Sequence, residues 1–269
     1  MTFRILSLNA GGGRVHRPLV DYLAGCGADL LCLQEMVHTP AARSDWLTYR
    51  GHGPDLQQRA NLHREVATLL PRHQARFAPA ARGELHDGDA VAWSQFGLST
   101  LLDDRHAVLA EAIDFVHGAF SADGWGEHPR ARNAHVLRLR RDDSGAALTV
   151  CQLHGLREEA GKGDTPARIA QAHALVALIR RVWRGSEPLV VCGDLNVLPD
   201  SATFSILAEL GLVDLVTTRG FTDTRTSLYT RPGRHADYML ATPDVAVSAF
   251  EVVTEPEVSD HRALLLDVG

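Results

Sequence analysis

The feature that most constrains this chain is a short apolar run that stops at an acid, Pro188-Leu-Val-Val-Cys-Gly-Asp-Leu-Asn196. Consecutive apolar and β-favouring residues without polar alternation are typical of a strand that is buried on both faces of a layered α/β domain. Gly193, Asp194 and Asn196 favour turns over strands, so they predict that the strand ends here. A rigid element would therefore present a carboxylate and an amide at the edge of a sheet, where active sites are commonly assembled.

The first part of the chain has a comparable order of elements. Residues 3–8 predict a strand that ends at Asn9. A short helix with Pro18 in its first turn follows, and residues 28–33 predict a second buried strand that ends in Gln34-Glu35. An amide and an acid are thus expected at the ends of two neighbouring strands.

The same order returns before the opening run. Residues 147–153 predict a strand that ends at His154, and Thr165 with Pro166 indicates the start of a long amphipathic helix. The next strand ends at Asp194. No residue-level repeat is visible, but the duplicated order predicts two facing strand–helix–strand units with their polar ends at one edge.

Two further polar groups flank predicted strands near the end of the chain. Asp237 lies near the start of a strand over residues 235–240, and Asp260-His261 precedes a last strand over residues 263–268. The stretch from residue 37 to 82 is the hardest to interpret. Its residues 56–70 suggest a helix, and short strands are expected at 91–93 and 98–102.

Composition limits the class of protein. With 269 residues, of which 45% are hydrophobic and 22% charged, the chain is expected to form one globular domain over residues 1–269. A formal net charge of -6 creates no basic field for a polyanion, so a nucleic acid would need a local basic patch or bound cations. No signal peptide or membrane-spanning segment is recognisable, and the four cysteines lack metal-ligand spacing. We therefore expect a reduced, cytoplasmic monomer.

Each polar strand end has an ordinary structural explanation when it is taken alone, as a turn former, a helix cap or a core histidine. Together they suit hydrolysis of a phosphate ester. Carboxylates such as Glu35 and Asp260, with Asp194 as a further candidate, match the preference of Mg²⁺ or Mn²⁺ for oxygen. Such an ion would offset charge on the phosphoryl group, while a carboxylate orients the attacking water and imidazoles donate to phosphoryl oxygens.

The ordered motifs resemble those of the endonuclease/exonuclease/phosphatase superfamily, which has the deoxyribonuclease I-like fold. They are Leu8-Asn9, Leu33-Gln-Glu35, Leu153-His154, Gly193-Asp-Leu-Asn196, Asp237-Tyr238 and Ser259-Asp-His261. The resemblance implies an α/β (α+β) four-layer sandwich, in which two mixed β-sheets pack face to face with helices outside. It also implies roles for individual residues. Glu35 would be the principal metal ligand, with Asn9 and Asp260 beside it. Asp194 would position the attacking water, and Asn196 and His154 would contact the scissile phosphate. Asp237 would pair with His261.

The chain departs from the deoxyribonuclease branch at one point. There, the histidine that His154 resembles is supported by a second acid from the middle of the chain. Glu84, Asp87 and Asp89 are candidates for that acid, and their spacing does not choose among them.

Two basic segments are candidate neighbours of this site. Gly161-Lys-Gly-Asp-Thr165 precedes a helix N-terminus, which favours anions, and we expect Lys162 to border the substrate site. Arg130, Arg132 and Asn133 are further candidates to reach the same pocket, but an arginine-rich surface strand explains them better at the level of sequence.

The sequence therefore predicts a divalent-metal-dependent phosphodiesterase or nuclease that acts on a phosphate ester, with nucleic acid among the candidate substrates. The alternatives are a phosphomonoesterase or a sphingomyelinase-like phospholipid phosphodiesterase. A non-catalytic binding domain on the same fold ranks lowest, because neither the metal acid nor the terminal histidine is missing. The substrate, endo- or exo-action and the number of metal ions stay open.

Overall fold

A computed structural model describes residues 2–51 and 54–269 of the chain. In these ranges the strands form two mixed β-sheets of eight and six strands. The largest hydrophobic cluster contains buried residues of both sheets, which pack face to face. The predicted fold class is confirmed.

The eight-stranded sheet has the order β13-β14-β1-β2-β6-β5-β3-β4. Only β1 and β2 pair in parallel, and the other neighbours are antiparallel. The strands are β1 (Phe3–Asn9), β2 (Leu30–His38), β3 (Trp46–Tyr49), β4 (Leu56–Arg59), β5 (His73–Asp87), β6 (Ala90–Asp103), β13 (Val247–Val252) and β14 (Leu264–Val268).

The six-stranded sheet has the order β11-β12-β10-β9-β8-β7, and its one parallel pair is β9 with β10. The strands are β7 (Ala107–His117), β8 (Arg132–Arg140), β9 (Ala147–His154), β10 (Leu189–Asp194), β11 (Val213–Asp214) and β12 (Asp237–Ala241). Each sheet thus contains one strand–helix–strand unit, as the duplicated order predicts.

The helices cover the outer faces of the sheets. Those in the described ranges are α1 (His16–Gly25), α2 (Leu62–Leu69), α3 (Pro166–Val182), α4 (Ala202–Leu207) and α5 (Leu215–Thr218), with 3₁₀ turns at Gly11–Gly13 and Ala208–Leu210. The predicted cap of α3 is present, since the Thr165 side chain accepts a hydrogen bond from the Arg168 amide. None of these helices is long and apolar enough to cross a lipid bilayer.

Side-chain alternation decides which groups enter the space between the sheets. On β1, Phe3 and Ile5 belong to the core between the sheets, whereas Leu6 and Leu8 pack with α1. Because side chains alternate with a period of two, Asn9 shares the inward face of Phe3 and Ile5. The first strand therefore delivers an amide to the gap between the sheets.

The second sheet delivers its polar groups by the same rule. Gln34 on β2 donates a hydrogen bond across the gap to Gln152 on β9, with 3.0 Å between Nε2 and Oε1. His154, two residues after Gln152, shares its face, and Asp194 is the register partner of His154 on β10. Amide, imidazole and carboxylate thus meet at one end of the two parallel pairs.

The main errors of prediction lie in the stretch that is hardest to interpret from sequence and in the strands that follow it. Residues Leu56–Arg59 form strand β4, and only Leu62–Leu69 are helical, so the helix expected over residues 56–70 is wrong in its first part. Pairing with β3 overrides the helix propensity of these residues. The two short strands predicted at 91–93 and 98–102 are parts of the single strand β6, which pairs along its length with β5.

Candidate active site

Asp194 lies at the centre of the converging polar groups and is 2% exposed. Its Oδ2 accepts a hydrogen bond from Asn9 Nδ2 at 3.0 Å, and its Oδ1 accepts one from the Asn196 backbone amide at 3.0 Å. The Asn196 side chain donates to the Gly155 carbonyl at 3.3 Å. The carboxylate is therefore held by groups from both sheets.

Two imidazoles flank this carboxylate. His154 Nε2 lies 3.8 Å from Asp194 Oδ2 and 4.0 Å from Glu35 Oε1, and His261 Nε2 lies 3.6 Å from the same Asp194 oxygen. His261 Nδ1 donates to Asp237 Oδ2 at 2.8 Å, which orients the ring so that Nε2 faces Asp194. Strand ends and loops thus bring five of the predicted groups within a few ångströms of one another.

The two histidines have opposite electrostatic environments. Burial and the nearby Arg132 lower the pKa of His154 to about 4, so its ring is neutral at pH 7. Burial also disfavours a charge on His261, but the Asp237 and Asp194 carboxylates outweigh it and raise the pKa of this imidazole. For Asp194, burial is outweighed by His261 and its pKa falls to about 2, so the acid is ionised at neutral pH.

Glu35 and Asn196 share an unusual backbone conformation. Each has φ of 54°, and in the described ranges they are the non-glycine residues with positive φ. Such a conformation costs about 1–3 kcal/mol and is often found at functional sites. Glu35 does not end its strand as predicted: β2 continues to His38, and its pairing with β6 shifts between Leu33 and Met36. The irregularity turns the Glu35 side chain toward His154.

Asp260 has partners that the sequence reasoning missed. One of its oxygens accepts from Arg14 at 2.8 Å and the other from Arg225 at 2.9 Å. Arg225 is buried and also contacts His261 Nε2. No spacing pattern links these two arginines to the acid, since Arg14 follows β1 and Arg225 lies in the loop before β12.

The donor set offers the oxygen chemistry of a hard divalent cation. Glu35 is the acid best suited to this role, because among the described residues no arginine or lysine lies within 4.0 Å of its carboxylate and its side chain is 27% exposed. A cation at Asp260 would share that carboxylate with two guanidinium groups. A second cluster, Asp194, Asp237 and His261, has ligand atoms within 4.8 Å of one another, but the last two already pair with each other.

The expected second acid beside His154 is not where the resemblance implied. All three candidates lie in the described ranges, and none has a carboxylate oxygen within 4.0 Å of the His154 ring nitrogens. Asp87 instead accepts a hydrogen bond from Ser44. The Phe96 ring lies beside His154 with a centroid separation of 6.3 Å. None of the three candidate acids contacts His154 in this structure.

The two basic segments have different outcomes. Lys162 holds the loop before β12, because its ammonium group donates to the carbonyl oxygens of Gly233 and His235. Burial lowers the pKa of this ammonium group to about 8. Arg132 and Asn133 are 8% and 3% exposed, so the surface-strand explanation is wrong for both. The Asn133 side chain donates to the Ala78 carbonyl, whereas Arg132 donates to the Gly155 carbonyl beside Asn196.

A family model described as the Endonuclease/Exonuclease/phosphatase family matches residues 6–261. The chain belongs to this family. The match runs from β1 to His261, so it includes every strand end that carries a candidate residue. Members of the endonuclease/exonuclease/phosphatase family are phosphoester hydrolases and generally depend on divalent metals.

Solved structures of the endonuclease/exonuclease/phosphatase fold resemble the whole chain at low identity. The human Nocturnin catalytic domain with bound sulfate anion has a TM-score of 0.65 and 16% identity, with 100% of this chain and 93% of that chain covered. A mannosyl-6-phosphatase of Bacteroides thetaiotaomicron has a TM-score of 0.69 and 14% identity, with 99% of each chain covered. D. rerio TDP2 complexed with single-strand DNA product has a TM-score of 0.66 and 15% identity, with 100% and 99% covered. No curated protein sequence matches this chain significantly.

Proposed function

We propose that this protein is a divalent-metal-dependent phosphodiesterase that hydrolyses a phosphate diester, with nucleic acid among its candidate substrates. The observation that carries the proposal is the convergence of Asn9, Glu35, His154, Asp194 and His261 at one end of the two parallel strand pairs. Chain segments as far apart as β1 and the loop before β14 contribute to it. Independent turns and caps do not account for such a convergence.

Glu35, with Asn9 and Asp260, would hold a Mg²⁺ or Mn²⁺ ion, which supplies neutralisation of charge on the phosphoryl oxygens when it is bound. The remaining steps belong to the protein. Asp194, ionised and fixed by Asn9 and Asn196, accepts a hydrogen bond from the attacking water and orients it toward phosphorus. As the water oxygen bonds to phosphorus, the ester P–O bond on the opposite side breaks and the water proton passes to Asp194. The non-bridging phosphoryl oxygens carry negative charge during this step and need hydrogen-bond donors.

The imidazoles supply those donors. His154 is neutral, so it donates one ring N–H to a phosphoryl oxygen without adding a full charge. His261, paired through Nδ1 with Asp237, presents Nε2 to the same space, and its raised pKa favours the protonated, donating form. The side-chain amide of Asn196 donates to a further phosphoryl oxygen. In this assignment Asp237 is a positioning residue and does not touch the substrate.

The test is a cleavage panel with Mg²⁺, Mn²⁺ or EDTA. Its substrates are bis(p-nitrophenyl) phosphate, p-nitrophenyl phosphate, plasmid DNA, RNA and sphingomyelin vesicles. We expect metal-dependent diester cleavage in which kcat/KM falls by at least 100-fold in Asp194→Asn and in His261→Ala. Asp21→Asn, which changes an exposed carboxylate on α1, is the matched control and should retain wild-type activity.

The pattern of cleaved substrates distinguishes the candidate functions. Cleavage of the monoester alone, or of sphingomyelin alone, would replace the phosphodiesterase assignment by one of its two alternatives. Metal binding without turnover of any substrate would indicate a binding domain. Wild-type activity in both site variants would reject the assigned residues.

A further inference from the structure

A small cavity of about 90 Å³ opens beside Glu35 and His154, and three arginines line it, Arg130, Arg132 and Arg157. We propose that this cavity binds a second anionic group of the substrate, so that the preferred substrate is a compact phosphodiester carrying a further phosphate or carboxylate near the scissile bond. This inference rests on the proposed function, since it specifies the substrate of the same site.

Arg132 is the strongest reason for an anion in this cavity. The residue is only 8% exposed, and its Nε donates to the Gly155 carbonyl at 2.8 Å. In the described part of the chain, its two terminal nitrogens have no hydrogen-bond partner and no carboxylate lies within 4.0 Å of them. Burial lowers the pKa of this guanidinium to about 10, so it is still charged at neutral pH. A buried cation with unused donors is unfavourable unless an anion reaches it.

Arg130 and Arg157 extend the same positive wall. Arg130 donates to the Tyr49 hydroxyl at 2.7 Å and lies over that ring, 5.6 Å from its centroid, which fixes its position without neutralising it. Arg157 is exposed at the mouth of the cavity. Among the described residues, neither arginine forms an ion pair with a carboxylate within 4.0 Å.

The three cavity arginines lack the carboxylate partners that other arginines of the chain have. Arg138, for example, pairs with Glu187, and Arg168 pairs with Glu158 at 3.0 Å. In a chain with a formal net charge of -6, three arginines face a cavity in which Glu35 is the acid. Every other arginine that is buried in the described part of the chain pairs with a carboxylate: Arg59, Arg141, Arg168 and Arg225. The unpaired guanidinium of Arg132 therefore points to an external anion.

Aromatic side chains limit what fits beside the arginines. Phe96 and Trp125 line the cavity and contact each other edge to face, with centroids 6.4 Å apart. Trp125 is held by a 3.1 Å hydrogen bond from its Nε1 to the Glu84 carbonyl. The cavity, walled by these two rings and the three arginines, has room for a phosphate- or carboxylate-sized group.

The experiment compares substrates that differ by one phosphate. One pair is thymidine 5′-(p-nitrophenyl phosphate) with and without a 3′-phosphate, and the other is thymidine 3′-(p-nitrophenyl phosphate) with and without a 5′-phosphate. In at least one pair we expect the phosphorylated member to have a kcat/KM at least tenfold higher, mainly through a lower KM. A glycolate ester of p-nitrophenyl phosphate shows whether a carboxylate replaces the second phosphate.

Arg130→Ala and Arg157→Ala should reduce that preference to less than threefold. These two positions are chosen because Arg132→Ala removes a buried hydrogen bond and is prone to misfolding. Arg140→Ala, at the opposite end of β8 from Arg132, is the matched control and should keep the wild-type preference. Cleavage of both members of each pair with equal kcat/KM would overturn the inference and leave the phosphodiesterase function intact. Cleavage of no member would reject the function as well, and a preference that survives both substitutions would reject the assigned cavity.

Discussion

The two residues with left-handed backbone, Glu35 and Asn196, are both candidate active-site residues. A side chain in this conformation is unfavourable by about 1–3 kcal/mol, so the surrounding structure must enforce it. In Glu35 the enforcing feature is the shift in pairing between β2 and β6, and in Asn196 it is the hydrogen bond from its amide to Asp194. The strain is thus tied to the direction in which each functional side chain points.

Glu35→Gln should abolish stabilisation by the metal while leaving the fold intact. Glutamine keeps the size of the side chain but removes the charge that attracts a divalent cation. With Mg²⁺ or Mn²⁺ at about 100 times its Kd, the wild-type free energy of unfolding should rise by about 2.7 kcal/mol. Thermal unfolding with and without metal measures this effect.

Glu209→Gln is the control for the metal titration, because Glu209 is an exposed acid near the end of α4. It should respond to metal as the wild type does. If Glu35→Gln is stabilised by the metal to the same extent, Glu35 is not the principal ligand.

At the scale of secondary-structure elements, the site depends on the close approach of β9 and β10. Gly193 has φ of 138°, and a Cβ there would lie 2.0 Å from the Leu153 carbonyl oxygen. Gly155 is equally tight, since its Cβ would lie 2.2 Å from the Leu195 carbonyl oxygen. The two glycines bring His154 and Asp194 side by side in register. Glycine is thus required here for strand contact, in addition to its freedom in turns.

Gly193→Ala should destabilise the protein by about 3 kcal/mol or more and lower activity, because the methyl group meets backbone atoms that cannot move without separating the strands. Chemical denaturation and the diester assay measure the two effects. Gly185→Ala is the matched control: it also has positive φ, 75°, but nothing lies within 4 Å of its Cβ. It should cost only about 1 kcal/mol and leave activity unchanged, and equal effects of the two substitutions would contradict the steric argument.

At the scale of the whole molecule, a polar row crosses the core and joins the two sheets. Gln34 donates to Gln152, Gln152 donates to Thr100 at 2.6 Å, and Thr100 Oγ1 lies 2.7 Å from His135 Nδ1. Because these buried hydrogen bonds form in only one alignment of the sheets, they specify that alignment, which apolar packing alone leaves less determined. The alignment in turn sets the distance between Asn9 and Asp194.

His135 should make the fold sensitive to acid. Burial, opposed by the nearby Glu111, lowers the pKa of His135 to about 4, whereas in the unfolded chain it is about 6.5. Between these values the unfolded state binds a proton that the folded state does not. The stability contributed by the neutral ring is therefore present above pH 6.5 and is lost as the pH falls toward 4, by about 1.4 kcal/mol per pH unit.

Urea unfolding at pH 7.5, 6 and 5 measures this slope. His135→Gln should have a shallower slope than the wild type. His63 and His154, whose pKa values are also lowered to about 4, contribute to the slope that remains. His173→Gln changes an exposed histidine on α3 and should leave the slope unchanged. If His135→Gln has the same slope as the wild type, protonation of His135 does not contribute to the loss of stability in acid.

The sequence by itself determined the two parallel strand pairs and the polar groups that follow them, because the apolar runs and the turn residues after them are local signals. The family and the candidate residues from Asn9 to His261 follow from those signals in order. Only the tertiary structure decided the long β5–β6 pair, the positive φ of Glu35 and the partners of Asp260. Those features depend on pairing between segments that are distant in the sequence. Burial is likewise a property of the packed sheets and of no local pattern. It turns Arg132, which the sequence predicts at the surface, into a buried cation beside His154.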